Sequence, residues 1–451
     1  MSPEALEDAS AVSDDEAGSE PVDGDANPGV ATGMNGPAAA DGRAAGAGGT
    51  PVVVPRTVEE LSSLMARASR DGRQVRCIGN ATSLPPGYLA GPVDLVVSTR
   101  ALDTVHAYDP ADLTLTADAG VSLGQLERVT GDQGQWLPLD PPGRARRSLG
   151  GVLASGAYGP LQGKFGTPRD HVLGLTLVTG DGRVLELGGR VVKNVAGYDL
   201  VKLAVGSGGR LGIVTSATVR LHPLPVRDVT LLYQTPRLAL TVVLARSLAT
   251  APVRIPALEL LAGHGGEPTV AVRLLGSLEA VAESERILNW RVGRKASRRL
   301  EGEASAHWFA ALERFEDDAA AVARVSHLPS RLGDLTEAAV ECGTVAAHVT
   351  LGVVRVAVDA GEKAATEGAS HGPEGGDGVA GPATQNPATV FKALARLRDD
   401  VVRAGATFRV SRANIPRWPA PEPATAPGVL ALTQGIVESF DPAGVLSRPG
   451  S

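Results

Sequence analysis

From residue 57 onward, apolar and polar positions alternate in short blocks of changing period. Thr57 and Glu60 form a capping box that opens a helix through residue 69. Residues 74–78 and 93–98 read as strands. Residues 105–108 and 113–117 flank the turn Asp109-Pro110. Ser122 and Gln125 form a second capping box, with a helix running to Gly131. Residues 172–179 and 183–187 straddle Asp181-Gly182, a hairpin signal. Residues 212–221 make a strand that ends at His222-Pro223. Beyond Pro225, strand-like runs (229–233, 269–274, 349–358) alternate with helix-like ones (237–248, 278–290, 389–404). Helices mixed with both crossover and hairpin connections predict an α+β fold.

Two stretches lack any period. Residues 1–50 are rich in Ala, Gly, Asp, Glu and Ser, and residues 361–388 are similar. Neither can bury enough apolar surface to offset its ordering entropy, so a disordered acidic tail and a flexible insertion are expected. With 451 residues in all, the rest divides into one domain at 51–225 and a second, smaller α+β domain within 226–451. Aromatic residues make up only 3% of the chain against 43% hydrophobic, so the core must be aliphatic.

Residues 1–50 hold ten acidic residues and one arginine, a charge of −9 against −7 for the whole chain, which leaves the remainder at +2. A nearly neutral folded part gives no electrostatic case for nucleic acid. Cys77 and Cys342 are too few for a disulfide framework or a cysteine-only metal site, and suit reduced thiols in the cytoplasm. The longest apolar stretch, 229–249, is interrupted by Gln234, Pro236, Arg237 and Arg246, so no transmembrane segment is expected.

Gly120-Val121-Ser122-Leu123-Gly124 matches a hydrolase nucleophile elbow, but Gln125 makes Ser122 a helix cap instead. Gly206-Ser207-Gly208-Gly209-Arg210-Leu211-Gly212 precedes a strand, the wrong order for a nicotinamide-dinucleotide fingerprint. The eight histidines show no paired metal-ligand spacing. His327 with Arg324 is an isolated polar candidate in the second half, where no clustered set of bases and cations is evident. What remains is a series of glycine-rich loops. The backbone of Gly79-Asn80-Ala81-Thr82-Ser83, with its two hydroxyls, could wrap a diphosphate. Ser148-Leu149-Gly150-Gly151 and Ala154-Ser155-Gly156 would let the chain approach a flat ring closely.

Taken together with Pro55-Arg56-Thr57-Val58-Glu59-Glu60, Ala119-Gly120-Val121 and Gly208-Gly209-Arg210-Leu211-Gly212-Ile213-Val214-Thr215, these loops resemble the FAD-binding PCMH-type domain of vanillyl-alcohol-oxidase-type flavoproteins. Val192-Lys193-Asn194-Val195-Ala196-Gly197-Tyr198-Asp199-Leu200, Leu137-Pro138-Leu139-Asp140-Pro141-Pro142 and Phe440-Asp441-Pro442-Ala443-Gly444-Val445-Leu446 are similar to the smaller FAD-binding subunit of bacterial glycolate oxidase. The resemblance implies a two-lobed fold with FAD between the lobes. Gly79, Asn80, Ala81, Thr82 and Ser83 would hold the diphosphate. Ser148, Leu149, Gly150, Gly151, Ala154, Ser155 and Gly156 would line the flavin side. Gly212, Ile213 and Val214 would meet the adenosine end. It also implies oxidation of a small 2-hydroxyacid such as glycolate, beside a larger FAD-linked subunit and an iron–sulfur subunit. The location would be cytoplasmic, or peripheral at the inner membrane through those partners. The alternatives are an accessory subunit without chemistry of its own and a stand-alone FAD-dependent alcohol oxidoreductase.

Residues 79–83 contain no histidine, the residue that tethers flavin covalently in some members of this group. The resemblance therefore implies non-covalent FAD. Acid precipitation of the purified protein is expected to release the yellow colour into the supernatant; colour retained in the pellet would contradict it.

Overall fold

The computed structural model of the protein describes residues 43–45, 50–82, 93–189, 199–263, 266–313, 319–358, 387–413 and 427–446. Its first strands, β1 (Arg43–Ala45) and β2 (Pro51–Val53), pair antiparallel. Part of the tail expected to be disordered thus joins a sheet. The physical reason is the open edge of β2, whose unpaired backbone groups accept any short extended neighbour.

α1 (Val58–Arg70) begins where Thr57 accepts the Glu60 N–H, while the Glu60 carboxylate reaches back to the Arg56 N–H and not to that of Thr57. β3 (Val75–Ile78) and β4 (Leu95–Ser98) run parallel, completing a sheet of order β1-β2-β4-β3. β5 (Val105–Asp109) and β6 (Thr114–Asp118) form the expected hairpin, and α2 (Leu123–Gly131) has both arms of its Ser122–Gln125 capping box. Then come β7 (Gln135–Trp136), α3 (Leu149–Ser155), α4 (Gln162–Phe165) and α5 (Pro168–His171). β8 (Val172–Val178), β9 (Val184–Gly188), α6 (Leu200–Ala204), β10 (Ile213–Arg220) and β11 (His222–Pro223) follow. Five of these strands form an antiparallel sheet, β5-β6-β10-β8-β9, and β11 pairs with β7.

The second part contains β12 (Arg227–Gln234), α7 (Leu238–Ala249), β13 (Ala257–Ala262), β14 (Thr269–Gly276), α8 (Leu278–Val292) and β15 (Arg298–Glu301). It continues with α9 (Glu303–Glu313), β16 (Ala321–Ser326), α10 (Leu332–Val340), β17 (Thr344–His348), β18 (Val353–Val358), α11 (Pro387–Arg403), β19 (Thr407–Ala413) and α12 (Pro427–Phe440). Expected to be the smaller part, it holds the largest sheet: eight antiparallel strands in the order β15-β12-β14-β13-β17-β18-β16-β19. Residues 349–358, read above as one strand, instead turn at Leu351-Gly352 between β17 and β18. Gly352 has φ +65°, which suits glycine, and the turn signal was hidden within an apolar run.

One face of this sheet buries Val229, Leu231, Leu260, Val272, Val345 and Val356 against α7, α8, α10 and α11. The other face packs Leu232, Ala271, Ala346 and Ala357 against Trp308, Phe309 and Leu312 of α9 and against Trp136 and Leu161 of the first part. The two parts therefore share a core.

After α12 the chain returns to the first part. The Val75 N–H donates to the Val445 carbonyl at 2.8 Å and the Gly180 N–H to that of Phe440 at 3.0 Å. Val445 and Leu446 are buried with Leu61, Met65 and Val97. Residues 440–446, counted above with the second domain, thus complete the core of the first. Buried Asp441 ties this segment down by accepting the N–H groups of Val445 and Leu446, each at 2.8 Å. Asp441→Ala would leave both donors without their acceptor, so a loss of about 2 kcal/mol in unfolding free energy is expected. Urea titration checks this; an unchanged midpoint would mean that the segment is not anchored by the carboxylate.

Candidate functional site

Four segments of the first part meet at one place. The Ala119 N–H donates to the Thr215 carbonyl, the Gly150 N–H to that of Ala119 and the Leu149 N–H to that of Val121, all at 2.8 Å. Gly79 leans on the start of α3 so closely that a Cβ there would lie 2.1 Å from the Ser148 Oγ. The Asn80 amide donates to the Arg146 carbonyl at 3.2 Å, and the Ser98 hydroxyl to that of Gly79 at 3.4 Å. Ala81, at φ +54°, turns the loop so that it and Thr82 are exposed. Ser83 lies outside the described residues, as do residues 192–198 of the motif that ends at Leu200. Cys77, just before this loop, is a poor nucleophile because burial pushes its thiol up to about 12.

Residues 148–156, read above as loop, form α3. Ser148 caps it by accepting the Gly151 N–H at 3.3 Å, and Gly156, at φ +63°, ends it. Leu149, Val152 and Leu153 are its buried face. The signal was present as a cap at each end with helical apolar spacing between, but three glycines masked it. Gly151, Ala154 and Ser155 form the opposite face, which carries no large side chain; Gly151 and Ser155 are exposed and Ala154 half-buried. That face is a surface on which a flat ring could rest. Ile213 and Val214 start β10 and pair with Val178 and Leu177 of β8, with their side chains buried. The register of β6 on β10 begins only at Ser216, so the second backbone edge of Ile213 and Val214 has no strand beside it among the described residues. Small residues, neutral donors and open backbone edges suit an uncharged approach to a dinucleotide, and the segments fit an FAD-sized cofactor in chemistry and in arrangement.

Beyond α3 the chain runs across the eight-stranded sheet. Asp140 accepts the Leu161 N–H at 2.9 Å, and a Cβ on Gly159 would lie 1.9 Å from the Asp140 carbonyl oxygen. The Lys164 ammonium donates to the Leu275 carbonyl at 3.2 Å. Below this segment, Trp136, Phe165, His222 and His171 form a chain of edge-on ring contacts, with centroids 5.4 to 5.6 Å apart. His171 is fully buried. Burial, then the charges of His222 and Arg220, lower its pKa to about 4, so it is neutral near pH 7.

The sheet face that meets this segment carries charge. Arg273 holds Asp228 through contacts of 2.6 and 3.0 Å, and Ser305 donates to the same carboxylate. His348 pairs with Glu259 at 2.5 Å, both sealed from solvent. Along the next row, Arg324 of β16 stands opposite Arg355 of β18 on one side and Arg409 of β19 on the other. The Arg324 guanidinium lies 4.4 Å over the Tyr158 ring, which follows directly after α3. Arg324 was read above as isolated beside His327. The sheet instead turns His327 toward the Ala404 carbonyl at 3.2 Å and brings in two arginines from 31 and 85 residues away along the sequence. No sequence pattern marks such a cluster, because strand register creates it. Burial, then repulsion from Arg355 and Arg409, lowers the Arg324 pKa to about 10, so it stays cationic. Among the described residues, no group of three His, Cys, Asp or Glu could hold a metal, and no helix is long and apolar enough to cross a membrane.

Residues 50–188 match a family described as an FAD binding domain. The chain is 37% identical over 182 residues to a D-2-hydroxyglutarate dehydrogenase of Xanthomonas citri pv. viticola, covering 40% of this chain and 39% of that protein. It is 44% identical over 119 residues to the glycolate oxidase subunit GlcE of Escherichia coli (strain K12), covering 26% of this chain and 34% of that one. The chain thus spans between a third and two fifths of the length of these relatives. Its fold is similar to that of a solved alkyldihydroxyacetonephosphate synthase, with a TM-score of 0.63 and 17% identity over 89% of this chain and 77% of that one.

Burial pushes the Asp140 carboxyl up to about 7 despite the Leu161 N–H and the nearby Arg273 and Arg144. A raised folded-state pKa means that its contribution to stability is fully present below the unfolded value near 4 and is lost as pH rises through about 7. Asp140→Asn keeps an oxygen acceptor for Leu161 but cannot ionise. Relative to the parent, this variant is expected to gain stability as pH rises from 4 to 8, measured by urea midpoints at both ends. A pH-independent difference would show that Asp140 is ionised throughout.

Proposed function

Because the chain carries an FAD-binding domain of the PCMH type, we propose that it is the FAD-holding subunit of a 2-hydroxyacid oxidoreductase of the glycolate oxidase kind. Gly79, Asn80, Ala81 and Thr82, with Ser83 and the Ser148 hydroxyl, hold the diphosphate. Gly151, Ala154, Ser155 and Gly156 seat the ring, and Gly212, Ile213 and Val214 meet the adenosine end. Bound there without a covalent link, FAD supplies a two-electron acceptor for conversion of the alcohol to a carbonyl.

The observation that carries this reading is the position of Arg324, stacked on Tyr158 immediately beyond the small-residue face of α3. A 2-hydroxyacid needs its carboxylate fixed while the C–H bond at the α-carbon is presented to an acceptor. Arg324 provides a planar cation for that carboxylate, and Tyr158 holds the guanidinium plane in place. Asp140 fixes the segment carrying Tyr158 through Leu161. The shared core around Trp136 and Leu161 packs this segment against the eight-stranded sheet. The neighbouring histidine, His348, has its Nδ1 engaged by Glu259 and is buried, so its role is to satisfy that carboxylate within the sheet. Relatives named as glycolate oxidase subunits support membership of a multi-subunit assembly; in this reading a larger FAD-linked subunit and an iron–sulfur subunit complete the substrate site and carry electrons onward.

With a dye acceptor, glycolate or D-lactate oxidation is expected from the co-expressed assembly and only weakly from the isolated chain. Arg324→Met in that assembly is expected to raise KM about tenfold or more, the effect of one charge-assisted hydrogen bond, with flavin content unchanged. Equal turnover by the isolated chain would make it a stand-alone oxidoreductase. A colourless chain with no affinity for FAD would refute the flavin role.

A further inference from the structure

Three strands of the first sheet run parallel and stop together. Val53 of β2, Val97 of β4 and Cys77 of β3 stand in one row, and the loop at 79–82 begins just beyond it. The N–H groups of Asn80, Ala81 and Thr82 donate to nothing among the described residues. Ala81, at φ +54°, reverses the handedness of the backbone, which turns successive N–H groups into an anion-binding nest. Two exposed arginines flank this nest. Arg146 is tied to it, because its carbonyl accepts the Asn80 amide at 3.2 Å. Arg100 comes two residues after Ser98, whose hydroxyl donates to the Gly79 carbonyl at 3.4 Å. Neither guanidinium has an ion pair among the described residues. Of the carboxylates that open α1, Glu60 is engaged by the Arg56 N–H at 2.8 Å.

The chain carries an anion of its own to this end of the sheet. β1 runs antiparallel to β2 with Arg43 opposite Val53, so the chain enters β1 where the parallel strands stop. Three strand spacings, about 15 Å, separate Arg43 from Cys77 in the order β1-β2-β4-β3. Residues 1–42, which lie outside the described residues, hold ten carboxylates and no lysine or arginine. Six of the ten are Asp14, Asp15, Glu16, Glu20, Asp23 and Asp25. The 18 residues from Asp25 to Arg43 can span up to about 60 Å, which holds the acidic stretch near the loop at roughly millimolar local concentration. We infer that residues 14–25 dock their carboxylates on the Asn80–Thr82 nest, between Arg100 and Arg146, and compete there with FAD. The inference rests on the role proposed above for this loop in holding the FAD diphosphate, and adds a control on its loading. Carboxylates suit the nest for the reason a diphosphate does, since both are oxygen anions that accept several N–H bonds at once. A tethered competitor lowers the apparent affinity for FAD by the fraction of time it leaves the loop free.

The test compares the full chain, freed of flavin, with a full-length variant carrying Asp14→Asn, Asp15→Asn, Glu16→Gln, Glu20→Gln, Asp23→Asn and Asp25→Asn. Hydrogen exchange of the amides at 80–82 and FAD affinity by fluorescence quenching are measured on both at low salt. The variant is expected to exchange these amides about tenfold faster and to bind FAD about tenfold tighter, the effect of removing a competitor that fills the loop roughly nine-tenths of the time. With Arg100→Gln and Arg146→Gln in both chains, the tail substitutions are expected to lose most of their effect. Unchanged exchange overturns the inference even if FAD binds more tightly, because the tail would then act only by repulsion at a distance. Faster exchange with unchanged FAD affinity overturns it as well, because no competition exists. A chain without affinity for FAD whose loop is still slowed by the tail defeats the flavin reading and leaves the docking in place. A chain that binds FAD and responds to the tail in neither measurement does the reverse.

Discussion

The structure depends on what lies over one face of the eight-stranded sheet. Its face toward α7, α8, α10 and α11 is dominated by aliphatic side chains. The other carries Asp228, Arg273, Glu259, His348, Arg324 and Arg355 among small apolar residues. Such a face can be covered only if each charge finds a partner, because an unpaired buried charge costs several kcal/mol. The sheet satisfies two carboxylates itself, with Arg273 and His348. The first part of the chain supplies the cover: Trp136, Leu161 and Phe165 over the apolar positions and Tyr158 over Arg324.

This cover also fixes where the two halves of the site meet. The segment that crosses the sheet begins at Gly156, the residue that ends α3. The small-residue face of α3 and Tyr158, which lies under the Arg324 guanidinium, are therefore only a few residues apart along one stretch of chain. Asp140 and Gly159 hold that stretch from the other side, one through the Leu161 N–H and the other by admitting the Asp140 carbonyl where any side chain would clash. One short, tightly packed connection joins α3 to the segment over Arg324, which limits how far either can drift from the other.

The return of residues 440–446 to the first sheet serves the same end at longer range. A chain that crosses from one part to the other once can hinge at that crossing. Here it crosses back, and Val445 and Leu446 enter the core beneath α1 and β3, with Asp441 satisfying their N–H groups. Gly180 is needed there because a Cβ would lie 2.1 Å from the Asp441 Oδ1. Two covalent connections and a shared core favour a fixed cleft over a freely hinging one.

Local chemistry was legible in the sequence. The Ser122–Gln125 capping box, the Asp181-Gly182 hairpin and the strand-like runs of β5, β6, β8, β10, β12 and β14 all depend on neighbours within a few residues, and the structure has them in place. The spaced glycine motifs identified the FAD-binding domain for a related reason: close backbone approach needs glycine at set positions, and that requirement is written in the chain itself. The sequence misled where one local signal hid another. The glycines of α3 concealed its caps and the valines around Gly352 concealed a turn. The arginine row could not be read in advance at all. Arg324, Arg355 and Arg409 become neighbours only through the pairing of β16 with β18 and β19, and register is set by which faces of distant strands bury their apolar residues. The sequence by itself determined the elements whose signals are local and the FAD-binding character of the first domain. Only the tertiary structure decided which charges would face the cofactor domain, because that depends on contacts between segments tens of residues apart.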